Sequence, residues 1–157
     1  TLKNTHIIFS YFNSDTDGRI INQMIDDYVS KNTHKAISFA SLGQLRYLSA
    51  LQYVDAVVGN SSSGLLEAPC FKIATINIGD RQKGRLKVAS VIDCIPEKSA
   101  IFMAIQKIYS DEFQQSLRNV QNPYGDGCVS NKIIDIIKSV ELERIVKKSF
   151  FNIGLQL

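Results

Sequence analysis

The sequence predicts an α/β domain built on a parallel sheet with helices on both faces. Three observations predict it. Short apolar, β-branched runs alternate along the chain with segments of helical spacing, the pattern that joins parallel strands through crossover helices. The run Ala74-Thr75-Ile76-Asn77-Ile78 is apolar almost throughout, as expected of a strand covered on both sides. Asp55-Ala56-Val57-Val58 stops at Gly59 and passes through a serine-rich loop into a helix start, a strand-loop-helix joint.

Taken in order, residues 6–11 make a first strand. Asn13-Ser14-Asp15-Thr16-Asp17-Gly18 follows, dense in turn formers. Its two aspartates resemble a cation loop, but the late glutamate that calcium loops require is missing, so the segment reads as a strand-to-helix loop. Ile20, Ile21, Met24, Ile25 and Tyr28 then fall at helical spacing on one face. Residues 35–39 form a second strand. Ser41 can cap a helix in which Leu42, Leu45, Leu48, Leu51 and Gln52 alternate with Arg46, Tyr47 and Tyr53. The third strand, 55–59, leads to a helix that Pro69 cuts short or bends. The fourth strand, 74–78, runs into Gly79-Asp80-Arg81-Gln82-Lys83-Gly84-Arg85, a loop at the strand end where open α/β sheets bind ligands. A short edge strand within 88–94, helices at 97–109 and 111–119, and a turn at Asn122-Pro123-Tyr124-Gly125-Asp126-Gly127 come next. A terminal helix carries Ile133, Ile134, Ile136, Ile137 and Val140, continuing through Leu142, Ile145 and Val146 with Lys147 and Lys148 near its end. Phe150 and Phe151 beyond it suggest a contact surface.

At 157 residues the chain is read as one domain, 1–157, with 45% hydrophobic and 21% charged residues, ordinary for a soluble globular protein. A net charge of +3 without a basic, aromatic-laced cluster argues against nucleic acid, while suiting an anionic ligand. Cys70, Cys94 and Cys128 offer neither a CxxC pair nor a disulfide framework, which points to reduced thiols and a cytoplasmic setting. His6 and His34 lack metal-ligand spacing, and no metal or cofactor is expected. No leader peptide is expected, and no apolar run in the sequence is long enough to span a bilayer as a helix. The first strand begins almost at once, without an initiator Met, so the chain is expected to be a piece of a longer protein.

Function is concentrated at Gly59-Asn60-Ser61-Ser62-Ser63-Gly64-Leu65-Leu66-Glu67. A helix mouth after a parallel strand offers unpaired N–H groups and partial positive charge to a phosphate. Glu67, about one turn further in, has the acceptors to hold a vicinal diol such as ribose. Read without context, the same serines simply cap a helix. The 79–85 loop likewise reads either as a solvated basic loop or as a partner for a diphosphate through Arg81 and Arg85.

Asn13-Ser14-Asp15-x-Asp17-Gly18, Gly59 to Pro69, Asn77-Ile78-Gly79 to Arg85, and Asn122 to Gly127 occur in that order. Together they resemble the C-terminal half of the hydrolysing UDP-N-acetylglucosamine 2-epimerases, over essentially the whole chain. The resemblance implies a Rossmann-like domain, one half of a glycosyltransferase-B-like two-domain enzyme. It implies UDP binding by Asn13, Leu42, Ser61, Ser62, Glu67 and Arg81, with Asn60, Ser63, Gly64 and Arg85 supporting the phosphate loop. Catalytic carboxylates are expected in an absent N-terminal half and none in this chain. One departure is clear. Cys70-Phe71-Lys72-Ile73-Ala74 stands where the family more often has a Gly and a Pro.

The implied reaction eliminates UDP from UDP-N-acetylglucosamine and adds water, giving N-acetylmannosamine for sialic acid synthesis. The expected partners are UDP or its sugar, the N-terminal domain and further copies of the full-length protein, without nucleic acid or membrane. The sugar stays open, since UDP-diacetylbacillosamine would suit a relative of the same kind. The alternatives are the nucleotide-sugar half of a glycosyltransferase and a non-catalytic UDP-sugar sensor.

Overall fold

The computed structural model describes residues 4–12, 17–125, 127–141, 143 and 147. They fall into two compact units, 1–121 and 122–157. The first contains five parallel strands, β1 (Ile7–Ser10), β2 (Ala36–Phe39), β3 (Ala56–Gly59), β4 (Ala74–Ile78) and β5 (Val91–Cys94). Helices α1 (Gly18–Lys31), α2 (Gly43–Ala50), α3 (Ser63–Leu66), α4 (Lys98–Ile108) and α5 (Asp111–Arg118) connect or follow them. The parallel, alternating architecture is the one the sequence predicts. Its ladder has a break, however. β1 pairs with β2, and β4 pairs with β3 on one side and β5 on the other. Among the described residues no ladder joins the two sheets, and Ile8 and Val58 are about half exposed.

β4 shows why this sequence makes a buried strand. Ala74, Thr75, Ile76 and Asn77 are all buried, and alternation sends them to opposite faces. Ala74 and Ile76 join Ala104 and Ile108 of α4, Phe113 and Leu117 of α5, and Val120 in the main core. Thr75 points the other way, where its hydroxyl donates to the Gly64 carbonyl of α3 at 2.7 Å. Helices therefore cover β4 on both faces. A Cβ at Gly64 would lie 2.5 Å from the Thr75 methyl, so only glycine lets α3 come this close.

The helix faces differ from their sequence pattern in two places. In α1 Ile25 is buried, but Ile20 and Met24 are 63% and 65% exposed. Tyr28 packs its ring edge against Phe9 of β1 instead of entering the main core. In α2 Leu45 is 81% exposed. Tyr47 is half-buried in its place, because its hydroxyl finds a partner in Ser63. The Ser41 hydroxyl accepts from Gly43 N–H at 3.1 Å, just ahead of the helix whose cap residue is Leu42. The edge strand begins at Val91, later than the apolar pattern suggests.

As expected of Pro69, α3 ends early. A 3-10 turn, Ala68–Phe71, continues it and closes at Lys72 in the left-handed region, φ 55°. That conformation favours glycine. Lys72 tolerates it here while its ammonium donates to the Arg118 carbonyl at 3.0 Å.

The second unit holds helix α6 (Val129–Ser139) after the Asn122–Gly125 turn, where Tyr124 N–H donates to the Asn122 side-chain oxygen at 3.0 Å. Asn13, Leu142, Ile145, Val146, Lys148, Phe150 and Phe151 lie outside the described residues. Among the described residues no helix is long and apolar enough to cross a membrane.

Candidate nucleotide site

Of the sequence-predicted residues, Asn60, Ser61, Ser62, Ser63, Gly64 and Glu67 follow the carboxyl end of β3, and Arg81 and Arg85 follow that of β4. Gly59 and Asn77 are the last paired residues of that ladder. Beyond them the chain turns on Gly59 (φ 151°) and Gly79 (φ 79°), conformations that a side chain would strain. Two loops therefore leave adjacent strands at the same edge.

In the first loop the Ser61 hydroxyl accepts from the Ser63 N–H at 3.3 Å, so part of the serine run does cap. Ser62 occupies the cap position in helical conformation (φ −62°, ψ −22°) and makes no side-chain capping bond. Its hydroxyl is thus left for another partner. Ser63 is shared with Tyr47 of α2 through a hydroxyl–hydroxyl bond. Gly64 seats α3 on Thr75. Glu67, half-buried, ends this short helix, its N–H bonded to the Ser63 carbonyl at 2.9 Å. Burial pushes the Tyr47 phenol up, the Ser63 bond opposes this, and the Glu67 carboxylate raises it further. Tyr47, Ser63 and Glu67 thus form one cluster.

In the second loop Arg81 and Arg85 are exposed. The turn closes through Lys83 N–H to the Asp80 carbonyl at 2.8 Å. Between the two arginines Gln82 is 3% exposed. Its amide Nε2 donates to the Asn60 carbonyl at 2.8 Å, tying the arginine loop to the serine loop. A shallow cavity of about 220 Å³ opens behind this turn, lined by Gly79, Asp80, Lys83, Gly84, Lys87 and Asp93. Its rear wall is a polar chain. Asn77 Nδ2 donates to Asp93 at 2.6 Å, and Lys87 bonds both Asp93 oxygens at 2.8 Å. Burial works to raise the Asp93 carboxyl, but the Lys87 and Asn77 bonds outweigh it and hold it below the usual range.

Leu42 precedes α2 and is partly buried. Asn13 lies outside the described residues. Among the described residues no group of three His, Cys, Asp or Glu side chains is placed to hold a metal. Tyr47 and Gln82 escaped the sequence reading. The signal for Gln82 was its place between glycine-flanked arginines, and that for Tyr47 was its helical spacing beside the leucines.

A model of the UDP-N-acetylglucosamine 2-epimerase family matches residues 1–138, most of the chain. The chain belongs to the UDP-N-acetylglucosamine 2-epimerase family. Among its relatives, a GDP/UDP-N,N'-diacetylbacillosamine 2-epimerase (hydrolyzing) of Campylobacter jejuni is 46% identical over 98% of this chain and 40% of its own. Polysialic acid biosynthesis protein P7 of Escherichia coli is 38% identical over 96% of this chain and 39% of its own. The chain thus spans about two fifths of the curated relatives it matches. The UDP-GlcNAc 2-epimerase of Methanocaldococcus jannaschii, solved with UDP-GlcNAc and UDP, superposes with a TM-score of 0.66. That match, at 21% identity, covers 85% of this chain and 35% of the archaeal one, and it establishes the shared epimerase-family fold.

Proposed function

We propose that this chain is the UDP-binding, C-terminal half of a hydrolysing UDP-N-acetylglucosamine 2-epimerase, spanning 1–157 as one functional domain. The observation that carries the reading is the convergence of the serine loop, Glu67 and the Arg81 turn at one strand edge in a member of this family. Ser61 and Ser62 hold the diphosphate through hydroxyls and N–H groups, with Asn60, Ser63 and Gly64 shaping their loop. Arg81 and Arg85 neutralise the diphosphate. Glu67 accepts from the ribose hydroxyls. Leu42 contacts uracil through its backbone, and Asn13 belongs to the UDP-binding set.

The whole protein, with an N-terminal domain supplying the acid and base, removes the C2 proton, expels UDP and adds water to release N-acetylmannosamine. It works in the cytoplasm as a homo-oligomer and feeds sialic acid synthesis, for which the name of the P7 relative speaks. A second reading of the sugar, UDP-N,N'-diacetylbacillosamine, is favoured by the name of the Campylobacter relative. The fragment alone binds UDP and turns nothing over.

Calorimetry tests this. The chain should bind UDP, and Glu67→Gln should weaken binding by about 1–3 kcal/mol, the range for losing hydrogen bonds to a charged group. Equal affinity in both proteins removes the role of Glu67. Assay of the parent protein on both UDP-sugars, with the released sugar identified by NMR, decides the substrate. Transfer to an acceptor would instead make it a glycosyltransferase, and tight binding without turnover a sensor.

A further inference from the structure

We infer that Gln82 is a positioning residue of the diphosphate site, a clamp that aims the Ser61 N–H and sets Arg81 beside it. The inference rests on the UDP-binding reading above. Gln82 is 3% exposed although it sits in a loop whose neighbours Arg81, Lys83, Gly84 and Arg85 are all exposed. A loop glutamine that only needed solvent would stay outside. Its Nε2 donates to the Asn60 carbonyl at 2.8 Å, across 22 residues of sequence. Its own Oε1 is buried and has no hydrogen-bond partner among the described residues. A buried, unpaired acceptor costs stability, so a site kept for packing alone would favour an apolar side chain of the same length.

The contact point explains what the clamp does. Asn60 O and Ser61 N–H belong to one trans peptide, whose carbonyl and N–H point in opposite directions. Holding the carbonyl toward Gln82 turns the Ser61 N–H away from the arginine loop's buried side. This peptide is oriented by the Asn60 ψ and Ser61 φ torsions, which lie in the loop just past the turn at Gly59 (φ 151°), so a bond from another loop has something to restrain. At the other end, Gln82 adjoins Arg81 directly, and its carbonyl accepts from Arg85 N–H at 3.3 Å. The side-chain amide of Gln82 thus restrains the Asn60–Ser61 peptide while its backbone carbonyl holds Arg85 N–H, both before ligand arrives. Such preorganisation raises affinity by reducing what must be ordered on binding.

Gln82→Met tests it, keeping the side-chain length and removing both the donor and the unpaired acceptor. Removing the unpaired acceptor offsets the lost bond to the Asn60 carbonyl, so urea unfolding should show a midpoint close to wild type, while calorimetry should show UDP bound about two- to tenfold more weakly, the loss expected for one net hydrogen bond. A structural role alone would lower both together, or neither. Unchanged UDP affinity beside saturable wild-type binding overturns the inference alone. A wild-type chain that UDP does not saturate overturns the UDP reading and the inference with it. If the variant fails to fold, the wild-type chain decides by NMR. The Gln82 carboxamide protons should be protected from exchange without UDP, and the Ser61 amide should shift as UDP saturates. Rapid exchange of those protons, or an unmoved Ser61 signal at saturation, overturns the clamp.

Discussion

Replacing Gly64 by alanine tests how closely the serine loop is seated on the sheet. The new Cβ would meet the Thr75 methyl carbon at 2.5 Å, well inside ordinary contact, and the Thr75 hydroxyl oxygen at 3.4 Å. Thr75 is 2% exposed and lies on the central strand, so it has little room to yield. Overpacking of this kind costs about 1–3 kcal/mol. If α3 lifts instead, the 2.7 Å bond from Thr75 to the Gly64 carbonyl lengthens, at a cost of about 0.5–1.5 kcal/mol. Alanine returns at most about 1 kcal/mol through helix propensity, less in a helix of one turn. The expected net loss is about 1–2 kcal/mol, read from urea unfolding followed by circular dichroism. Thr75→Ser removes the clashing methyl while keeping the hydroxyl, and alone should cost about 1 kcal/mol. Combined with Gly64→Ala it leaves a space that the new methyl fills. The double variant should therefore exceed the sum of the single effects in stability by about 1–2 kcal/mol. Simple additivity, or a Gly64→Ala protein as stable as wild type, refutes the close-approach reasoning.

The Asp93 carboxyl, held low by Lys87 and Asn77, should contribute stability above the unfolded carboxyl value of about 3.9 and lose it as pH falls through the lower folded value. The pair is half exposed on the Asp93 side, so this amounts to less than about 1 kcal/mol and shrinks with salt. Asp93→Asn should flatten the acid limb of urea midpoint against pH, and an identical limb refutes the assignment. Tyr47→Phe should cost about 0.5–1.5 kcal/mol by breaking the bond to Ser63. An ultraviolet difference titration against wild type should show the missing phenol ionising above 10.0, and an ordinary value would mean that Tyr47 faces water.

The strands were legible because their information is local. Ala74 to Ile78 carries no charge to leave outside, and a strand buried on both faces needs no partner to announce it. The helices were legible as helices but less so in what they touch. In α2 the pattern of leucines suggested an apolar face, yet Leu45 stays in water while Tyr47 turns inward. Spacing reports which residues share a face, and the partner across from that face decides how much of it is buried. Ser63 is that partner for Tyr47, and it comes 16 positions later in the chain.

The same division explains the site. Ser61, Ser62 and Glu67 are visible in sequence because one short segment supplies the loop, the helix mouth and the carboxylate. Gln82 was not, since its place between two arginines does not by itself say what its side chain reaches. Its role depends on Gly59 ending opposite Asn77, which brings the loops after β3 and β4 out side by side. Only then can one carboxamide reach the Asn60 carbonyl. Arg81 and the serines supply charge and donors that a local reading can count. The geometry that brings them to one edge comes from pairing two strands in register, and the residue that bridges the two loops carries no charge at all.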